Sequence, residues 1–259
     1  MAELGSAVTD VGPGEIIWGT WSHKSTAVVQ EDWAVRRRLP PSVDPIVGIF
    51  SRIGAIELNA VLDADVHLGE YVAVFGQGVP GLIASQLVRL NGGTVIAVDG
   101  VAKRLKLAEE LGAAHVIDFT KQSPAEEIKG LTENRGADVC IEISGSYRAL
   151  QEAIRSTAYN SKVVSSGFFQ GEGTDLFLGE EFHHNRINVI SSQIFGVSLA
   201  LDHRWTVERL ERTIMTLAVE QKIGLKPLVT HTFAVEEAEE AFQLLDEGPS
   251  EAVQVVLEF

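Results

Sequence analysis

The stretch Tyr71-Val72-Ala73-Val74-Phe75-Gly76-Gln77-Gly78-Val79-Pro80-Gly81 limits what this chain can fold into more than any other. Five apolar, β-favouring residues run straight into a G-x-G-x-x-G turn. An apolar helix pattern follows (Leu82, Ile83, Ala84, Leu87, Val88, Leu90), and a second apolar run, Val95 to Val98, stops on Asp99. Strand, glycine turn, helix, strand and acid in that order form the unit that binds a dinucleotide. Each position has a physical reason. Gly76 permits the tight turn, Gly78 lets the backbone approach a pyrophosphate, and Gly81 lets helix and strand pack closely. Gln77, Val79 and Pro80, which complete the turn, are cofactor-binding candidates with the three glycines. The helix start offers unpaired N–H groups and a partial positive charge to phosphates, and Pro80 costs little in a first helical turn. Asp99 lies where a carboxylate accepts the hydroxyls of an adenosine ribose. Two other readings use the same residues. The turn can be a βαβ corner with no ligand. Methyltransferases also join a glycine turn to an acid after the second strand, but they carry an acid near the end of the first, where this chain has Val74-Phe75.

The 259 residues allow one large domain or a domain and a half, and 45% hydrophobic content allows a sizeable core. The net charge of −15, with no basic block beyond Arg36-Arg37-Arg38, argues against a nucleic-acid partner. The one cysteine, Cys140, falls in an expected strand and reads as a small core residue. It excludes intrachain disulfides and a cysteine-rich zinc site. No continuous apolar run reaches the roughly 18 residues of a membrane helix, and no signal-peptide pattern opens the chain. The expectation is a soluble cytoplasmic protein without a membrane partner.

Residues 1–35 read as short strands and turns around Gly12-Pro13-Gly14, Ile16-Ile17-Trp18 and Ala27-Val28-Val29, too few to close a barrel. Pro40-Pro41 and Asp44-Pro45 mark a linker, and a long apolar helix is expected over 47–62. After Asp99 the alternation continues. Helices are expected over 102–111, 125–132 and 150–156, and strands over 115–118, 139–143, 162–167 and 187–195. Six strands alternating with helices argue for a doubly wound parallel sheet. Residues 168–186 read as irregular. A helix with Val207, Leu210, Ile214 and Leu217 on one face, a strand over 228–233, a helix over 235–245 and a strand over 253–259 close the chain. Ligands of such a sheet sit beyond the carboxyl ends of its strands. Ser144-Gly145, Ser165-Ser166-Gly167 and Ser192-Gln193, with Phe195 just beyond, fall at those ends. They are candidates to seat a flat nicotinamide, or are ordinary strand-end turns.

The order of pieces resembles the medium-chain dehydrogenase/reductase superfamily, the zinc alcohol dehydrogenase and quinone reductase group. Val8-Thr9-Asp10-Val11-Gly12-Pro13-Gly14 is similar to its V-x-x-V-G-x-G strand and turn. Leu58-Asn59-Ala60-Val61 looks like the end of its linking helix, and Arg104 to Ala113 matches its R-L-x-x-A-x-x-L-G-A helix. Ala238 to Leu245 resembles its closing A-x-x-A-x-x-L-L helix. The resemblance covers nearly the whole chain. It implies a Rossmann domain (50–197) between two parts of an incomplete GroES-like barrel domain (1–49 and 198–259). It also implies hydride transfer with NAD(P), and homodimers through the edge of the Rossmann sheet. The finer resemblance is to short, zinc-lacking members grouped with bacteriochlorophyllide-type dehydrogenases.

The departures bear on mechanism. The chain begins where the family is well into its barrel. Zinc-type members read G-H-E where this chain has Met1-Ala2-Glu3, so Ala2 replaces a histidine ligand, and another ligand position falls near Ser51. Three protein ligands are needed for a catalytic zinc, so no metal site and no zinc are expected. Register with the family places Ser51 and Arg52 near the nicotinamide, and Trp18, Trp21, His23 and Lys24 at the cleft mouth. Ser51, Arg52 and His23 are the catalytic candidates. His183-His184 is a weak metal suggestion. Asp99 favours NAD(H) over NADP(H), with Lys103 and Arg104 close enough to blur the choice. The expected function is zinc-independent hydride transfer to or from a small carbonyl, alcohol or activated alkene. The alternatives are a nucleotide-binding protein with little catalysis, and a chain whose active site a partner chain completes.

Overall fold

A computed structural model describes residues 1–259. The chain divides into two compact units, Ile56–Val207 and Met1–Ala55 with Glu208–Phe259.

The first unit is built on a six-stranded sheet. Its strands are β1 (Tyr71–Phe75), β2 (Thr94–Asp99), β3 (His115–Asp118), β4 (Ala137–Glu142), β5 (Thr157–Ser165) and β6 (Asn188–Ser191). All pairings are parallel, and the order is β3-β2-β1-β4-β5-β6. That is the doubly wound Rossmann order, whose direction reverses between β1 and β4. The crossover helices are α3 (Val79–Leu90), α4 (Ala102–Glu110), α5 (Pro124–Leu131) and α6 (Tyr147–Ser156). The strands are apolar on both faces because helices cover both. Ala73, Phe75, Ile96, Val98, Ile117, Cys140 and Val163 pack with Ile128 of α5 and Leu150 and Ile154 of α6 in one buried cluster. Cys140 is a core residue, and burial pushes its thiol up to about 12.

Differences from the sequence expectation have local causes. The register between β4 and β5 shifts between Ala137 and Val139, and Asn160 takes φ +58° there. This bulge lets the strand start at Thr157, although regular pairing begins at Lys162, near the expected start. β6 is shorter than expected because its chain turns after Ser191, and Asn59 holds that turn. Its amide donates to Ser192 Oγ and to the Gly196 carbonyl, each at 3.3 Å, and its oxygen accepts from Ser198 N at 3.2 Å. The irregular segment 168–186 contains a short helical stretch, Leu178–Phe182, kinked at Glu180 (φ −102°, ψ −121°).

The second unit holds α1 (Glu31–Val35), the start of α2 (Ser51–Ala64), α7 (Val207–Val219), α8 (Ala238–Glu247), and the strands β7 (Val229–Ala234) and β8 (Gln254–Glu258). β7 and β8 form a two-stranded parallel sheet. The short strands expected in residues 1–35 do not form. A single antiparallel bridge, Ile17 to Arg38, is what remains of them, since an extended run without neighbouring strands gains little from staying extended. Asp44 caps a 3-10 turn over Pro45–Phe50, accepting from Ile46 N, and α2 follows directly. The stretch Pro45–Ala64 is long and apolar enough to cross a membrane by composition, yet 61% of it is buried inside the protein, as a core helix would be.

Glu57 lies in the middle of α2, buried, with no hydrogen-bond partner for Oε2. Burial pushes its carboxyl from 4.5 up to about 8, so it keeps its proton at neutral pH. A folded-state value above the unfolded one means the stabilising contribution is complete below about pH 4.5 and is lost as the pH rises through about 8. Thermal unfolding midpoints should therefore fall more steeply across this window for the wild type than for Glu57→Gln, which cannot titrate. Parallel curves would contradict the assignment.

Candidate active site

The glycine turn leaves β1 at Gly76, whose φ of +94° belongs to the left-handed region. Gly76 N–H donates to the Val98 carbonyl at 2.8 Å, so turn and β2 move as one. Gly81 lies in the first turn of α3, and a Cβ there would drive into the Gly76 carbonyl. Gly78 is the N-cap of α3 and gives no side-chain bond, so the helix start keeps free N–H groups, and Pro80 has none to lose.

Asp99 closes β2 and is buried. Its Oδ2 accepts Gln77 N–H at 2.6 Å and its Oδ1 accepts Val101 N–H at 2.8 Å. Each oxygen keeps a lone pair for another donor. The Gln77 side chain turns inward. Its amide donates to the Val74 carbonyl at 2.9 Å and its oxygen accepts from Ser85 Oγ at 3.2 Å, so Gln77 offers a ligand only backbone.

A cavity of about 960 Å³ opens beside this turn. Gly76, Asp99, Arg104, Phe119, Ser144 and Arg148 are among its lining residues. It therefore brings together the glycine turn, the acid, the cation of α4 and the end of β4. Phe119 lies against Gly100, where a Cβ would come 2.6 Å from the ring. Lys121, also on the wall, is held by Asp118 at 2.6 Å, and that contact keeps the Asp118 carboxyl down at about 2.

At the ends of β4 and β5, the sequence candidates Ser144, Gly145, Ser166 and Gly167 lie together. Ser166 and Gly167 N–H groups donate to the Glu142 carbonyl, at 2.8 and 3.0 Å. The Glu142 carboxylate accepts Ser144 N–H at 2.8 Å, Gly145 N–H and the Ser144 hydroxyl. Burial raises the Glu142 carboxyl, and these hydrogen bonds oppose the rise. Sequence reasoning missed Glu142. It read as one residue of an apolar run, and a buried acid carries no pattern of its own. Gln193 and Phe195 go elsewhere. They line a separate cavity of about 700 Å³ with Asn59 and Lys162, and Gln193 Oε1 accepts Phe195 N–H.

The catalytic candidates fall in the second unit. Ser51 starts α2 and is buried. Arg52 pairs with Glu211 at 3.5 Å, and Arg37 pairs with the other oxygen of Glu211 at 3.3 Å. The Arg37 guanidinium also lies over Trp18 at 5.2 Å and Trp33 at 4.4 Å. Trp18 is thus a core residue, whereas Trp21 is part-exposed and packs edge-on against Trp33. His23 and Lys24 are exposed in an irregular segment. Glu211, which holds both arginines, was also missed, because it sits on the helix face whose apolar residues drew attention.

No group of three or more His, Cys, Asp or Glu side chains is arranged to hold a metal ion. His183 and His184 contact each other edge-on. Ala2 has no donor atom, and Ser51 offers a neutral hydroxyl, a poor zinc ligand. The donor set does not fit a catalytic zinc. The glycine turn, the α3 start and Asp99 do fit a dinucleotide.

The zinc-binding dehydrogenase family matches residues 80–210. D-guloside 3-dehydrogenase of Escherichia coli K12 is 28% identical over 260 residues, 99% of this chain and 74% of that protein. Sorbitol dehydrogenase of Halalkalibacterium halodurans is 29% identical over 85% of this chain and 60% of its own length. Among solved structures, a candidate zinc-binding dehydrogenase of Sinorhizobium meliloti 1021, bound to NADP, superposes with TM-score 0.76 at 23% identity, covering 99% of this chain and 80% of that one. The chain belongs to the zinc-binding dehydrogenase family, within the medium-chain dehydrogenase/reductase superfamily. It is an alcohol dehydrogenase-like oxidoreductase by that membership, and the family implies a nicotinamide cofactor.

Removing Glu211 would leave Arg37 buried with its charge unpaired. Glu211→Ala should destabilise the protein by about 3 kcal/mol in urea unfolding. Glu211→Gln, whose amide oxygen still accepts, should lose less. Equal and small losses would show that Arg37 is held by the tryptophans alone.

Proposed function

We propose that the chain is a zinc-independent, NAD(P)(H)-dependent oxidoreductase, moving hydride to or from a small carbonyl, alcohol or activated alkene, with NAD(H) preferred. The observation that carries this reading is Asp99, a buried carboxylate at the end of β2 that faces the cavity beside the glycine turn. Its remaining lone pairs suit the two hydroxyls of an adenosine ribose, and its charge disfavours a phosphate on that ribose. Lys121 opposes this little, because Asp118 holds its charge. Arg104 is the residue that could admit NADP(H), the cofactor bound in the Sinorhizobium neighbour. The N–H groups of the α3 start receive the pyrophosphate. Small residues at Ser144, Gly145, Ser166 and Gly167 leave room for the flat ring. When bound, the nicotinamide supplies or takes the hydride.

Charge developing on a substrate oxygen needs a fixed donor. Arg52, anchored by Glu211, is our candidate, and the Ser51 hydroxyl is our candidate for moving the proton. D-guloside and sorbitol, in the names of two relatives, support a polyhydroxylated secondary alcohol as substrate. We assign the exposed edge of β6, where Val189 is 40% exposed, as the homodimer contact. The two-stranded β7–β8 sheet, with Phe242 and Phe259 exposed, favours a second reading in which further strands from a partner chain complete this unit.

Titration followed by tryptophan fluorescence should show saturable binding of NADH, about tenfold tighter than NADPH. Asp99→Ala should weaken NADH and narrow that difference. Tighter NADPH binding would overturn the role given to Asp99. Protein purified without a histidine tag should carry no stoichiometric zinc, and zinc at one per chain would overturn the metal-free mechanism.

A further inference from the structure

Asp99 has a counterpart in the other half of the sheet. Glu142 closes β4 as Asp99 closes β2, and both are buried carboxylates that accept backbone N–H groups, Asp99 from the turns after β1 and β2 and Glu142 from the turn after β4. Glu142 holds more than Asp99 does. Its Oε1 takes Ser144 N–H at 2.8 Å, Gly145 N–H at 3.2 Å and the Ser144 hydroxyl, and Gly145 N–H also lies 3.3 Å from Oε2. Its main-chain oxygen takes Ser166 and Gly167 N–H. The carboxylate therefore holds the turn after β4, while the main-chain oxygen, which any residue would supply, joins the turn after β5. The packing there leaves no slack: a Cβ on Gly167 would lie 2.7 Å from Glu142 Oε2 and closer still to Gly145 N. Beside these turns, Ser166 Oγ is buried and has no hydrogen-bond partner. A buried hydroxyl without a partner is costly unless something occupies it.

A dinucleotide crosses such a sheet at the β1/β4 switch point, with one mononucleotide on each half. Asp99 marks the adenosine half, so the β4 and β5 ends face the nicotinamide half. We propose that Glu142 is a positioning residue for the nicotinamide end of the cofactor: its carboxylate fixes Ser144-Gly145 and packs close to Gly167, setting the shape that receives it, with Ser166 Oγ as a donor to its amide. Glu142 touches no reacting atom. It acts through the turn its carboxylate holds and the Gly167 turn it packs against. This inference rests on the cofactor assignment given above, and the test separates the two.

Calorimetric titrations of wild type, Glu142→Ala, Glu142→Gln and Gly167→Ala with NADH and with ADP, which carries the adenosine half and no nicotinamide, read the role directly. Wild type should bind both. Glu142→Ala should weaken NADH about tenfold or more while ADP stays within about twofold. Glu142→Gln, whose amide oxygen can still accept from Ser144 and Gly145, should recover most of the NADH affinity. Gly167→Ala, which keeps the carboxylate but wedges the turns apart, should repeat the Glu142→Ala result and decides the matter if Glu142→Ala fails to fold. NADH affinity unchanged in both alanine variants, or NADH and ADP lost in equal measure, would overturn the positioning role. Wild type binding neither ligand would instead overturn the cofactor assignment, and the inference with it.

Discussion

The hydrogen bond from Gln77 N–H to Asp99 is the contact that the dinucleotide-binding half relies on. It ties the turn after β1 to the end of β2, at a point where Gly76 already donates to the Val98 carbonyl. A carboxylate bonded to backbone N–H groups is stronger than a neutral pair, and a buried one is stronger still. Gly81 adds a steric condition, because no side chain fits between α3 and the Gly76 carbonyl. Together they fix the turn into α3 beside an anchored acid, and Gly76 and that acid line one cavity. The Gln77 side chain itself serves the interior.

The second unit is organised by charge instead. Glu211 stands between Arg37 and Arg52, and two tryptophans flank Arg37. A shared acid between two cations keeps a part-exposed arginine oriented, because moving Arg52 would leave that end of Glu211 unmatched. This is the kind of support that a charge-stabilising group needs.

The sequence made the Rossmann half readable because its signals are local. Glycine spacing, apolar runs and an acid at a strand end each fix a geometry within a few residues, and Gly76, Gly81 and Asp99 occupy the places their spacing implied. What escaped were residues whose role depends on distant partners. Glu142 is defined by turns on two strands, and Glu211 by arginines more than 150 positions away. Gln77 read as a cofactor contact because its place in the motif says nothing of side-chain direction. The first 35 residues read as strands because β-propensity reports a fit to a pleated surface, and that surface is not formed here. Gln193 and Phe195 were expected within or just beyond a β6 running to 195, whereas the strand is Asn188–Ser191. The chain leaves the sheet after Ser191 and leads them to a different cavity.

The relatives share the frame, and the side chains on it are what distinguish this chain. A crystal structure of the protein grown with NADH tests the central claim most directly. The expected result places the adenosine in the cavity lined by Gly76, Asp99 and Phe119, both ribose hydroxyls within hydrogen-bond distance of the Asp99 carboxylate, and the pyrophosphate at the start of α3. Density for the dinucleotide at another place, or an Asp99 carboxylate bonded to nothing but Gln77 and Val101, would contradict it.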